Sequence, residues 1–313
     1  LAHDGWIQEE IMKGIVCHFT PTDKVHVASA RIAVWLANRY GLDIIDKPDP
    51  EKVKDYDLAI CVSSASGFAD AELREQIGEI CARAKHYIFA QQDFLTSQAG
   101  QIGKWFDILE KDRHTRHVWS TIHKTIKNPQ DRYINWNRLT FSPVEPQPVS
   151  KTGLYYYGAA RKGRLSYLEK YLGGDLPYEA TVSTTKPGTK KFKLFAPDIN
   201  YEEPFKELSH ISKFQMSLYL EDDYSHRHYC SPANRWYECL SQRVPMVFDK
   251  SCIGTFETAG YSVKDYVVQD KEGVAWALEN SEDIREEQWE RWGFDHLLAL
   301  KEDVDAAIKG ILT

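Results

Sequence analysis

The run YYYGAARKGR at 155–164 sets three cations directly behind a glycine. A short apolar run ends at Tyr157, Gly158 permits a tight turn, and a helical pattern begins at Arg164. A helix N-terminus attracts anions through its free N–H groups and its dipole. Arg161, Lys162 and Arg164 add full charges there, and the combination suits a diphosphate. The same spacing also suits a solvated basic helix start. The segment has neither a G-x-G-x-x-G nor a Walker pattern, so hydride transfer and triphosphate hydrolysis gain no support.

A second constellation is LYLEDDYSHRHYCSPANRWYECLSQRVPMVFD at 218–249. A strand pattern ends in Glu221, Asp222 and Asp223, and Ser225, His226 and His228 follow in a loop. Pro232 and Asn234 open a helix that carries Arg235 and Glu238, with Asn234 a candidate cap. A carboxylate at Glu238 can hold two vicinal ribose hydroxyls. The alternative is a first-turn acid that complements the helix dipole. The three strand-end acids can hold a divalent ion, but such clusters are usually solvated, and no metal is expected.

These groups need a scaffold that brings strand ends together. Both halves of the chain alternate short apolar runs with helical patterns, which predicts parallel sheets covered by helices on both faces. In the first half the strands are GIVCHF (14–19), LDII (42–45), DLAICVS (57–63) and HYIFAQ (86–91), with helices over 27–41 and 71–84. In the second they are GLYYYG (153–158), YEATVST (178–184), MSLYLED (216–222), VPMVFD (244–249) and an edge strand YVVQ (266–269). Three prolines in FSPVEPQPVSKT (141–152) mark a linker. The expected architecture is α/β, two Rossmann-like domains with a cleft between them, over 1–142 and 150–295. A last helix, 296–310 within 296–313, is expected to cross back onto the first domain. Ligands of such sheets bind beyond the carboxyl ends of the strands.

Charge argues about partners. The chain carries 39 Lys and Arg against 46 Asp and Glu, a net of −7, so coating nucleic acid by bulk charge is not expected. Locally the picture reverses. Residues 113–138 hold Arg113, Arg116, Lys124, Lys127, Arg132 and Arg138 with one acid, Asp131, which leaves the remainder at −12. Trp119, Tyr133 and Trp136 are interleaved. Cations for phosphates and rings for an unstacked base suit a base-modifying enzyme. A solvated helix with its rings packed inward is the alternative. A second patch, KPGTKKFK (186–193), extends such a track or forms a flexible loop.

The six cysteines show no C-x-x-C and no zinc-ligand spacing, which points to buried thiols in a cytoplasmic protein. No apolar run approaches the roughly 20 residues that cross a bilayer. The opening LAHDGWIQEE lacks a basic flank and an apolar core, so no signal peptide is expected, and without a Met the chain is expected to be trimmed.

The second half resembles the donor domain of GT-B glycosyltransferases. In that fold a strand–Gly–(Arg/Lys) turn grips the diphosphate of a nucleotide sugar, and a helix glutamate before a G-x-P strand binds the ribose. Here the turn is GAARKGR, and Glu238 and Pro245 match the second motif, while Arg243-Val244 departs from its small residues. The order Y-Y-G-x-x-R-K-x-R, E-D-x-x-S-H, N-R-x-Y-E is similar, over about 90 residues, to phage DNA glycosyltransferases acting on hydroxymethylated pyrimidines such as hydroxymethylcytosine. The resemblance implies transfer from a UDP-linked sugar, as co-substrate and without a cofactor, in the host cytoplasm. Donor contacts are expected from Gly158, Arg161, Lys162, Arg164, Asp222, Asp223, His226, Asn234, Arg235 and Glu238. DNA contacts are expected from Arg113, Arg116, Lys124, Lys127, Arg132, Trp136 and Arg138. Deprotonating the acceptor hydroxyl needs a positioned base. Asp93, after the strand 86–91, is the first candidate and His18, at the end of the first strand, the second. A saccharide or small-molecule acceptor, a nucleotide-sugar epimerase, and a non-catalytic two-domain protein closing on a phosphorylated ligand are the competing readings.

Overall fold

The structure is a computed structural model of the 313-residue chain. It describes residues 13–18, 28–46, 51, 56–63, 76, 79–80, 83–91, 115–120, 132–141, 144–228 and 231–312. Two compact units emerge, Leu1–Trp136 with Ala307–Thr313, and Asn137–Ala306.

The first unit carries β1 (Gly14–His18), α1 (Ala28–Tyr40), β2 (Asp43–Asp46), β3 (Leu58–Ser63), β4 (His86–Gln91), β5 (Thr115–Ser120) and β6 (Arg132–Tyr133). The strand order is β2-β1-β3-β4-β5-β6, with every pair parallel. Ile15–Cys17, Leu58–Val62 and Tyr87–Ala90 are buried without alternation, as expected of strands covered on both faces. The order reverses between β1 and β3, the topological switch point at which doubly wound sheets bind ligands.

A short helix, α2 (Trp136–Leu139), precedes the second unit's sheet, and residues 144–150 form neither helix nor strand. Then come β7 (Lys151–Tyr157), α3 (Lys162–Leu172), β8 (Ala180–Ser183), α4 (Lys186–Phe192), β9 (Asn200–Glu202) and β10 (Phe214–Tyr219). They are followed by α5 (Asp223–His228), α6 (Asn234–Ser241), β11 (Met246–Asp249), α7 (Ile253–Thr258), β12 (Val267–Val268), α8 (Lys271–Glu279), α9 (Ser281–Trp292) and α10 (Phe294–Leu312). The order is β12-β11-β10-β7-β8-β9, again all parallel. Counted from β7 this is the 3-2-1-4-5-6 order of a Rossmann sheet, with its switch point between β7 and β10. β7 carries one extra residue there: Phe214 pairs with Lys151, but Met216 pairs with Leu154. Gly153 sits in this bulge at φ +87, where a Cβ would lie 2.1 Å from the Glu179 carbonyl oxygen.

Aromatic rings fill the second core. Trp236 of α6 meets Phe248, Phe256, Tyr261 and Trp292 edge-on, with centroids 5.1 to 5.6 Å away. Such contacts add about 0.5–1.5 kcal/mol per pair beyond area burial. They fix α6, and with it Arg235 and Glu238, against the sheet.

The fold decides against two of the alternatives left open and corrects one expectation. Residues 115–120 form strand β5, paired with β4 along its whole length, and not a solvated helix. The segment 186–193 contains helix α4, led by Pro187 in its first turn and anchored by buried Phe192, so it is not a flexible loop. Asn234 is the first residue inside α6, and Ala233 occupies the cap position without a side-chain bond.

Candidate functional site

The switch point of the second sheet gathers most of the second-half residues singled out above. β7 ends at Tyr157, and Gly158 turns the chain at φ +145 toward α3. A Cβ on Gly158 would lie 2.7 Å from Arg235 Nη1, so only glycine lets the turn pass this close. Arg161 caps α3 without a side-chain bond, and Arg161 and Lys162 are exposed. β10 ends beside β7 and leads through Leu220 into Glu221 and Asp222, both buried.

Below the turn lies a buried ion cluster. Glu221 receives Arg235 Nη2 on Oε1 and Arg164 Nη2 on Oε2. Arg235 also donates to the Leu220 carbonyl at 2.7 Å, the Tyr157 carbonyl at 3.1 Å and the Tyr156 hydroxyl at 3.2 Å. Its guanidinium lies over the rings of Tyr156 and Tyr219, 5.3 and 5.2 Å from their centroids. Burial works against this charge, but Glu221 and the tyrosines outweigh it and push the Arg235 pKa above its ordinary value. Arg235 thus staples the ends of β7 and β10. Arg164 Nε stands 3.6 Å from Asp222 Oδ2.

The acids are held differently. Asp222 Oδ1 accepts the Ser225 N–H at 2.8 Å. Burial tends to raise the Asp222 carboxyl, yet the Ser225 bonds and the charges of Arg164 and Arg161 hold it below the usual carboxylate range. Asp223 is exposed and accepts the Tyr167 hydroxyl at 2.7 Å. His226 Nδ1 lies 2.9 Å from Thr255 Oγ1, and burial pulls its pKa down despite Glu221, Asp223, Asp222 and Asp249. Glu238, one turn beyond Arg235, is half-buried and accepts the Tyr157 hydroxyl on Oε2 at 2.8 Å.

Among the described residues no three His, Cys, Asp or Glu side chains converge to hold a metal ion. Glu221 and Asp222 are engaged by arginines, so the strand-end acids do not form an open oxygen cage.

Sequence reasoning missed Tyr157 as the partner of Glu238 and Glu221 as the shared counter-ion of two arginines. A tyrosine closing a buried strand was the only signal for the first.

In the first unit, His18 is the last residue of β1, paired with Asp46 and Val62 at that sheet's switch point. Asp93, Arg113, Lys124 and Lys127 lie outside the described residues. Arg116 sits in β5 opposite Tyr87, and Arg132 is exposed. Two residues of the expected DNA track are withdrawn from solvent. Trp136 stacks on Trp119 at 6.1 Å and donates its indole N–H to the Trp119 carbonyl at 3.0 Å. Arg138 is fully buried and donates to the Trp292 carbonyl at 2.9 Å and to that of Gly293 at 2.6 Å, satisfying the end of α9. Neither is placed to meet a phosphate or an unstacked base.

No protein-family model and no curated protein matches the chain. Solved structures do. One is the DNA-modifying enzyme beta-glucosyltransferase, determined with and without uridine diphosphoglucose, at TM-score 0.61 and 16% identity over 96% of this chain and 99% of that one. Another is T4 phage BGT with UDP and Mn2+, at 0.62 and 16% over 95% and 99%. A third is alpha-glucosyltransferase in complex with UDP, at 0.58 and 12% over 95% and 100%. Across nearly its whole length, the chain therefore carries the GT-B fold of two Rossmann-like units shared with these glucosyltransferases.

Proposed function

We propose that the protein is a glycosyltransferase that moves a sugar from a UDP-linked donor to the hydroxyl of a hydroxymethylated pyrimidine in double-stranded DNA. The observation that carries this is the switch point of the second sheet. There an exposed Arg161–Lys162 pair leads α3 directly behind β7, and Glu238 stands on the helix that follows β10. Enzymes of the same fold are solved with UDP or uridine diphosphoglucose, and one is described as DNA-modifying.

In this reading the acceptor hydroxyl loses its proton to a base as its oxygen bonds to the anomeric carbon, and the bond from that carbon to the diphosphate breaks. The departing UDP takes the electron pair. Arg161, Lys162 and the first N–H groups of α3 meet that charge. Arg164 and Arg235, both held by Glu221, shape the floor of the turn rather than reach outward. Glu238 receives the ribose hydroxyls, and Asp222, Asp223 and His226 line the approach to the sugar and phosphates. Asp93 is the proposed base, with His18 second. Residues 1–142 form the acceptor side and 150–295 the donor side.

DNA is met by exposed cations. In the second unit Lys186, Lys190, Lys191 and Lys193 are exposed on and beside α4, and Lys191 Nζ reaches the Ala160 carbonyl at 3.3 Å, joining that patch to the Arg161 turn. The four described cysteines are buried thiols, which supports a cytoplasmic setting, and among the described residues no helix is long and apolar enough to cross a membrane.

The test is incubation with UDP-glucose and duplex DNA, plain or containing 5-hydroxymethylcytosine, reading UDP release and DNA mass. Release with a hexose-sized gain only on the modified DNA is expected. Because Trp136 and Arg138 leave the expected track, a saccharide or small-molecule acceptor is the second reading, and donor hydrolysis without DNA gain would favour it.

A further inference from the structure

Tyr157 closes β7 at the switch point, and the residue is 7% exposed. It is locked on two sides: the Tyr155 ring stacks at 5.4 Å and the Phe205 ring meets it edge-on at 5.1 Å. Its hydroxyl lies 2.8 Å from Glu238 Oε2, 3.3 Å from the Arg235 carbonyl and 3.7 Å from Cys239 Sγ. A phenol has one proton to donate, and the carboxylate is the nearest and strongest acceptor of the three.

The pairing joins two elements by their ends. Tyr157 belongs to a central strand, whereas Glu238 belongs to α6, whose axis is fixed by Trp236 in the core. A glutamate side chain on a helix has three rotatable bonds and samples many positions when nothing holds it. Here a rigid ring, buried in the sheet, supplies one hydrogen bond that selects among them. Burial, with Cys239 and Glu238 beside it, pushes the Tyr157 pKa well above its ordinary value, so the donor proton stays in place throughout the neutral range.

We propose that Tyr157 is a positioning residue for the nucleoside. Its hydroxyl holds one oxygen of Glu238 so that the carboxylate is presented, pre-oriented, to the vicinal hydroxyls of a ribose. The assignment rests on the reading of Glu238 as the ribose acceptor.

The experiment is calorimetric titration of the wild type and Tyr157→Phe with UDP and with 2′,3′-dideoxy-UDP, beside a thermal melt of each protein. The wild type is expected to prefer UDP. Tyr157→Phe should weaken UDP binding roughly tenfold, about one hydrogen bond to a charged group, while the dideoxy nucleotide binds within about twofold of wild type. Equal losses for both nucleotides would mean that the hydroxyl merely supports the fold, and an unchanged UDP affinity would also overturn the assignment. Wild-type protein that binds both nucleotides equally would instead remove the ribose role of Glu238, and wild-type protein that binds neither would remove the nucleotide reading itself. Should Tyr157→Phe not fold, Phe205→Leu removes one side of the packing that holds the Tyr157 ring and keeps Glu238 itself. The preference for UDP over the dideoxy nucleotide should then fall; a preference kept at the wild-type level would overturn the proposal.

Discussion

Gly158 and Arg235 occupy adjoining space: the turn after β7 passes so close to the guanidinium that any Cβ on Gly158 would sit 2.7 Å from Nη1. With φ at +145 the position also resists an L side chain. Gly158→Ala is therefore expected to strain the backbone by about 1–3 kcal/mol and to displace Arg235. A lowered denaturation midpoint together with weaker UDP binding is the expected result, read by thermal melts and titration.

Glu221 contacts both Arg164 and Arg235. Glu221→Gln keeps its shape and removes its charge, leaving two buried guanidiniums, of which Arg164 keeps Asp222 at 3.6 Å. Breaking a buried pair from one side typically destabilises by about 3–5 kcal/mol. Urea denaturation should show a loss of that size, whereas Lys162→Gln, at an exposed position, should leave stability nearly unchanged and weaken UDP binding.

Acidification should act in two stages. The folded-state pKa of His226 is lowered from its usual 6.5, chiefly by burial, so the unfolded chain takes up this proton first. Its contribution is present above 6.5 and is lost as pH falls below that value toward the depressed folded pKa. Asp222 is likewise depressed from 3.8: burial opposes the shift, and the Ser225 bonds and arginine charges prevail. Its contribution is full above 3.8 and lost as pH falls further. Denaturant midpoints measured from neutral pH downward should therefore decline, and His226→Gln should flatten the upper stage alone.

Binding to DNA should depend on α4. Lys190→Glu with Lys193→Glu is expected to weaken duplex binding. The slope of log affinity against log salt should become shallower by roughly 0.9 for each phosphate that the variant no longer neutralises. Arg138→Met should leave that slope unchanged and lower stability instead, since its partners are the carbonyls of Trp292 and Gly293.

Much of the fold was legible because parallel strands buried on both faces read as unbroken apolar runs. GIVCHF, DLAICVS, HYIFAQ and MSLYLED all mark real strands. β5 was not legible: TRHVWS spreads three polar residues and a histidine along a strand, and its register is supplied by β4 rather than by its own pattern. β9 is only three residues long. Spacing located the site residues along the chain but could not distinguish exposed cations from buried ones. Arg161 and Arg164 lie one turn apart, yet one is in solvent and the other is closed over by Glu221. Trp136 and Arg138 misled for the same reason: a basic, aromatic composition describes a surface only when its side chains face outward.

The bulge at Gly153 sets the phase of everything above it. One added residue shifts β7 by half a pleat against β10, and a shift by one residue moves each following side chain to the other face of the sheet. Tyr157 meets Glu238 only in the present phase. Deleting a single residue near Gly153, some distance down the strand, would turn Tyr155, Tyr156 and Tyr157 over together, exchanging the ring that touches Arg235 for the ring that touches Glu238. The base of β7 thus acts as a gear tooth: nothing at the mouth need change for the mouth to present a different set of hydroxyls.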